Sequence, residues 1–419
     1  MLDLIAIVVS LTAALAWLNH RVVGLPSPIG VMAIALVLSG ALQGAAWLGL
    51  PAVHTEAEAW LSRIDFTRLL MDGMLSLLLF AGALHVDLAA LRRYRWSIGF
   101  LATLGVAVST LAIGAAAKGL CMLFGLAVPW LACLVFGALI APTDPIAVLG
   151  ILRRAGAPED LELRIVGESL FNDGVAVVVF TLLLGGLTGE TTLTAAHAGT
   201  LFLQEAGGGA LLGLAVGGLA YVTMRGIDDY RIEVLISLAV VLGGYALARQ
   251  LHVSGPIAMV VAGLLVGNKA RHSAMSATTR RYLDAFWELV DEILNTLLFV
   301  LIGLEVLLIP FEPAYLWVGG GLVAAVLAVR FLTVGVPVVL LRERLGFRRG
   351  STRILTWGGL RGGISVALAL ALPEGEARDV LLTATYLVVL FSILVQGPTI
   401  GRLVTRLLGK AGASRPMPS

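Results

Sequence analysis

The sequence is short of charge. Only 13% of its 419 residues are Asp, Glu, Lys or Arg, about half the fraction of an ordinary soluble domain. With 58% hydrophobic residues it cannot cover a water-facing surface. Apolar runs of roughly 20 residues, each long enough to cross a bilayer, recur from end to end. Cysteine is scarce as well. Cys121 and Cys133 stand in apolar surroundings with no CxxC or His/Cys spacing, which argues against a metal site and leaves packing. No basic tract interleaved with aromatics points to nucleic acid. The leading run from Leu2 to Leu18 lacks the basic start and cleavage site of a signal peptide, so it reads as a first transmembrane helix.

What is present is glycine, 49 residues, with proline scattered through the apolar runs. Glycine suits helices packed backbone to backbone in lipid, and coincident Gly and Pro predict broken helices. The fold class is an all-α polytopic membrane protein. Thirteen spans are predicted, at approximately 2–19, 27–49, 67–91, 96–125, 129–152, 161–187, 199–225, 231–251, 255–268, 289–309, 314–341, 351–372 and 377–408. Lys269 to Glu288 is expected to form an interfacial helix or linker. Loops carrying Arg92, Arg93 and Arg95; Arg153, Arg154 and Arg164; Lys269 and Arg271; and Arg342, Arg344, Arg348 and Arg349 then share one side. By the positive-inside rule the N-terminus is outside, and the C-terminus is cytoplasmic, with a short tail at 411–419. The cell (inner) membrane is the expected location.

Two spans are interrupted: span five at Ala141-Pro142-Thr143-Asp144-Pro145, and span twelve at Trp357-Gly358-Gly359-Leu360-Arg361-Gly362-Gly363. Interrupted segments in matching positions of two halves point to a transporter's midplane site, so spans four to six and eleven to thirteen read as inverted repeats. Between them lies Gly167-Glu168-Ser169-Leu170-Phe171-Asn172-Asp173-Gly174. An ionisable group at mid-membrane costs about 2.5–3.5 kcal/mol on the lenient insertion scale and is rarely idle. Ser169 and Asp173 are four apart on one helix face, as are Glu168 and Asn172 on the adjacent one. Carbonyls freed near Thr143, together with Asp144, make a hard-oxygen cation environment; the alternative is a proline kink with Asp144 as a cap. Arg330 sits mid-span and must find a carboxylate, with Glu168 the first candidate. Arg361 either offsets exposed carbonyls at the break or snorkels to water. Asp72, Lys118, Glu205, Glu305 and Gln396 read as packing or interface groups. Asn295 and Thr296 could line a path, and His85 reads as a surface histidine.

These motifs resemble those of the cation:proton antiporter superfamily, specifically its NhaP/NHE-type sodium/proton exchangers, over nearly the whole chain. The resemblance implies an NhaA-like antiporter fold with two broken helices crossing near the site. It also implies a homodimer with dimerisation helices at 1–91 and 188–309, and core helices at 92–187 and 310–410. It implies that the Thr143 carbonyl, Asp144, Ser169 and Asp173 coordinate a monovalent cation, Na+ first, with Li+ or K+ as alternatives. Asn172 would orient the site, Glu168 would pair with Arg330, and Arg361 would balance the crossing. Members with Asn-Asp at 172–173 are generally electroneutral. One departure is Ala81, where some archaeal relatives carry an acidic residue after the Phe matching Phe80.

The expected activity is therefore exchange of a cation for protons by competition at Asp173, with no enzymatic chemistry and no cofactor. A passive cation channel would not need an arginine-braced carboxylate or paired broken helices. A serine hydrolase at Ser169 fails for want of a nucleophile elbow and of a histidine beside it.

Overall fold

Uncharged runs in hydrocarbon must satisfy their backbone groups internally. In this computed structural model, which describes residues 2–48, 55, 59–61, 65–190, 194–310, 312–340, 347 and 350–408, every regular element is a helix. Nine helices among the described residues are long and apolar enough to cross a membrane, including Ser27–Ala45, Arg95–Leu123, Glu159–Thr188, Tyr230–Gln250 and Pro313–Leu340. Shorter apolar helices at Trp130–Ile140 and Gly255–Ala270 accompany them. Large side chains such as Trp17, Val37, Leu111, Leu214, Leu242 and Val339 point outward. A soluble protein would not keep such a surface, but lipid tails accept it. The chain is an integral membrane protein.

Two groups of helices emerge from the packing. In one, Leu104–Leu123 lies against Trp130–Ile140 and Pro313–Leu340, Pro313–Leu340 lies against Glu376–Phe391, and Glu159–Thr188 covers Trp130–Ile140. In the other, Leu75–Leu84, Gly208–Met224 and Tyr230–Gln250 surround Gly255–Leu265, while Ala277–Glu305 packs on Ser27–Trp47. The groups meet where Glu159–Thr188 touches Gly255–Leu265 and where Ala277–Glu305 touches Gly363–Leu370.

One segment differs from the sequence reading. The stretch 269–288, expected as an interfacial helix or linker separate from the span at 289–309, is largely helical and continuous with that span: after the turns ending at Ser273, a single helix runs from Ala277 to Glu305. Its acidic residues depress the local hydropathy, but Asp284, Glu288 and Asp291 recur at helical spacing and fall on one face. They line a water-accessible cavity, so the charge does not end the helix.

The basic loops gather at one end of the bundle. Asn268 donates to the Val86 carbonyl at 2.9 Å and accepts from the Leu88 N–H at 2.8 Å. Arg164 donates to Ser97 at 2.9 Å, and Arg271 holds Asp284 by two bonds of 2.7 and 2.8 Å. Arg342, Arg344, Arg348, Arg349, the tail 411–419, the Asp72 side chain and parts of the stretches 56–65, 189–191 and 310–313, expected as acidic or neutral loops on the opposite side, lie outside the described residues.

Candidate functional site

A proline lacks the N–H a helix needs and disfavours the helical region for the residue before it. The Pro142 and Pro145 pair therefore parts Trp130–Ile140 from Ile146–Arg154. The glycine run likewise parts Ser351–Trp357 from Gly363–Leu370. The two non-helical stretches cross and pair, the Asp144 N–H donating to the Leu360 carbonyl at 2.8 Å in a single antiparallel bridge. This approach requires glycine. A Cβ on Gly359 would sit 2.7 Å from Arg330 Nε, and one on Gly362 would overlap the Asp144 carboxylate. Overpacking of this kind costs about 1–3 kcal/mol, so Gly362→Ala is expected to lower transport about tenfold or more by displacing Asp144. Gly320→Ala, where a Cβ meets nothing within 4 Å, should leave the transport rate unchanged.

Breaking a helix strands its last carbonyls, which carry the negative end of its dipole. Arg361, 2% exposed and far from snorkelling, donates Nη1 to the carbonyls of Ala141 and Pro142 at 2.5 and 2.6 Å. The arginine of one broken helix thus caps the other. Its own N–H donates to Ser392 Oγ at 3.0 Å, Ser392 donates to Gln396 at 2.7 Å, and Gln396 donates to the Trp357 carbonyl at 3.1 Å. Ser392 and Gln396 bound a π-helical turn in the final helix. Gln396, expected to be packing, is a brace of the crossing.

On Glu159–Thr188 the two carboxylates have different surroundings. Glu168 takes a bidentate ion pair from Arg330, Nη2 to Oε2 at 2.9 Å and Nη1 to Oε1. Both side chains are buried, and Arg330 also reaches the Leu355 carbonyl at 3.4 Å. Asn172 donates Nδ2 to Thr143 Oγ1 at 3.0 Å and accepts from the Thr143 N–H at 3.4 Å. Thr143 and Ser169 share a hydroxyl–hydroxyl bond of 2.9 Å. Asn172 and Ser169 therefore hold the unwound strand at Thr143, which fixes the direction of the neighbouring Asp144.

Asp173 is left over. Its carboxylate takes no hydrogen bond or ion pair among the described residues, and with Thr143 and Asp144 it lines a cavity of about 750 Å³. Arg153, His85 and Asp87 line the same cavity, so it opens at the end where the basic loops gather. Ala81 is buried in its wall, and exposed His85 donates Nδ1 to the Ala81 carbonyl at 2.8 Å. Asn295 lines the cavity, while Thr296 turns its hydroxyl back to the Glu292 carbonyl at 2.7 Å. Of the residues weighed from the sequence, Thr143, Asp144, Glu168, Ser169, Asn172, Asp173, Arg330 and Arg361 lie at or beside the crossing. A free carboxylate among hydroxyl, carboxyl and carbonyl oxygens can hold a proton or a hard monovalent cation.

Residues 7–406 match the family described as "Sodium/hydrogen exchanger, transmembrane". The Na(+)/H(+) antiporter NhaP of Pseudomonas aeruginosa is 56% identical over 411 residues, covering 97% of each chain. The Na(+)/H(+) antiporter NhaH of Halobacillus dabanensis is 37% identical, covering 89% of this chain and 91% of that one. Among solved structures, the sodium proton antiporter MjNhaP1 of Methanocaldococcus jannaschii superposes with a TM-score of 0.67 at 20% identity, covering 91% of this chain and 99% of that one. That likeness extends to the fold. Crossed broken helices, a free carboxylate in an open cavity and a match over nearly the full length lead to one conclusion: the chain belongs to the transmembrane sodium/hydrogen exchanger family.

Proposed function

We propose that this chain exchanges Na+ for H+ across its membrane, one for one, with Asp173 holding either ion but not both. The observation that carries this reading is the contrast on one helix. Glu168 is bound by Arg330, whereas Asp173 faces the cavity unpaired among the described residues. Oxygens of Asp144, Ser169 and the Thr143 main chain complete the cation shell, Asn172 orients it, and Arg361 steadies the crossing. With Asn172 neutral, one proton leaves for each Na+ that binds, and no net charge moves.

The reading divides the molecule along its packing. Residues 92–187 and 310–410 form a moving core of two inverted three-helix repeats. Residues 1–91 and 188–309 form the scaffold and dimer contact, giving thirteen spans with the N-terminus outside. The cavity opens at the basic end, so the conformation faces inward by the positive-inside rule. Core movement against the scaffold exposes the site alternately, because an empty charged site crosses poorly.

Reconstituted transport at clamped membrane potential tests the proposal. Na+ should dissipate a pH gradient at a rate independent of the potential. A flux that follows the potential without fixed coupling, as a channel would give, overturns it. Competition also fixes a pH dependence. Raising pH on the cavity side removes the competing proton, so the apparent KM for Na+ falls, by about tenfold per unit where the carboxyl is mostly protonated. Initial rates across a pH series measure this, and a KM that rises with pH refutes competition.

A further inference from the structure

The helix Ala277–Glu305 carries a polar stripe that the exchange reaction does not use. Asp284, Glu288, Asp291 and Asn295 follow one another at steps of four, three and four residues, which keeps them on one helix face. All four line the cavity that holds Asp173 and Asp144. From Glu288 inward burial deepens: Glu288 is exposed, Asp291 half-buried and Asn295 only 2% exposed. Just beyond, Leu298 packs against Gly363, beside the Gly362 that abuts Asp144. The stripe therefore leads from the mouth to the crossing.

Asp284 is already neutralised by Arg271. Asn295 is in the opposite condition. Its Nδ2 donates to the Asp291 carbonyl at 2.8 Å, which fixes which end of the amide is oxygen. Its Oδ1 is buried with no hydrogen-bond partner among the described residues. A buried acceptor left unmatched costs about 1–3 kcal/mol, so it needs an explanation. The groups facing it across the cavity are Asp144 and Asp173, and His85 and Asp87 in the turn between Leu75–Leu84 and Leu88–Arg93.

We propose that Asp291 and the Asn295 Oδ1 form a staging site for a monovalent cation, where an entering ion sheds part of its water before passing to Asp144 and Asp173. The inference rests on the exchange reading above. Two oxygens, one charged and one neutral, can replace part of a hydration shell without holding the ion so firmly that it fails to leave, which multi-site conduction requires. Here the charge is carried by the scaffold wall, as Ala81 offers none on the facing helix.

The test compares Asp291→Asn, Asn295→Leu and Glu288→Gln in reconstituted full-length protein, with Na+ as the ion. Staging predicts that the first two raise the KM for Na+ about fivefold to tenfold, the size of one partly buried charge contact, with maximal rate within about twofold. Asn295→Asp in the Asp291→Asn background should bring KM back, since it returns a carboxylate to the same face. If Glu288→Gln raises KM as much as Asp291→Asn, the effect is a diffuse field at the mouth and the staging site is overturned. An unchanged KM in Asp291→Asn overturns it too. The exchange reading fails separately, through Asp173, so the two outcomes are distinguishable.

Discussion

Asp173→Asn is expected to abolish Na+-driven proton movement in proteoliposomes, leaving less than about 1% of the wild-type rate, because a lost charge-assisted contact of about 3 kcal/mol corresponds to about 100-fold. The substitution keeps the shape of the side chain and removes both the negative charge and the titratable proton. Folding should be unaffected, since the Asp173 carboxylate has no protein partner among the described residues to lose. Size-exclusion profile and thermal midpoint in detergent would check this. Normal exchange by Asp173→Asn would remove the carboxylate from the mechanism. Asp144→Asn should behave differently. Its N–H still pairs with Leu360, so the crossing survives and the deficit should be concentrated in cation affinity.

The second large effect belongs to stability. Glu168→Gln or Arg330→Gln leaves the other charge buried alone, and breaking a buried pair costs about 3–5 kcal/mol. Either change should lower the thermal midpoint in detergent sharply and reduce the yield of folded protein. The reversed pair, Glu168→Arg with Arg330→Glu, should recover part of the loss. The recovery is partial because Arg330 also donates to the Leu355 carbonyl, and a glutamate at that position has no hydrogen to donate to it. If the single and double changes are equally unstable, the two residues do not act as a pair.

Much of the site could be read from the chain because the membrane makes charge costly. Arg330 in mid-span had to find an acid, and Glu168 was the acid one could name. The breaks at 141–145 and 357–363 followed from proline and glycine chemistry and fall where the helices end at Ile140 and Trp357 and resume at Ile146 and Gly363. Less legible were contacts between elements distant in sequence. Gln396 carries no charge, so nothing in the sequence distinguished it from a packing amide, yet it holds the Trp357 carbonyl across 39 positions. The polar stripe from Asp284 to Asn295 falls across the boundary between the expected interfacial helix or linker and the next span, because averaging hydropathy along the chain conceals which face a charge occupies.

The helices joined by Glu168 and Arg330 contain 30 and 28 residues, about 45 and 42 Å at 1.5 Å per residue. The hydrocarbon layer they cross is about 30 Å thick. Set upright, each has roughly 12–15 Å of surplus length, and under the proposed movement of the core that surplus bounds the stroke the pair could make together while still spanning the bilayer. Lipids with longer chains would shorten that stroke. Turnover should therefore fall in thicker bilayers even with every ligand of the ion in place.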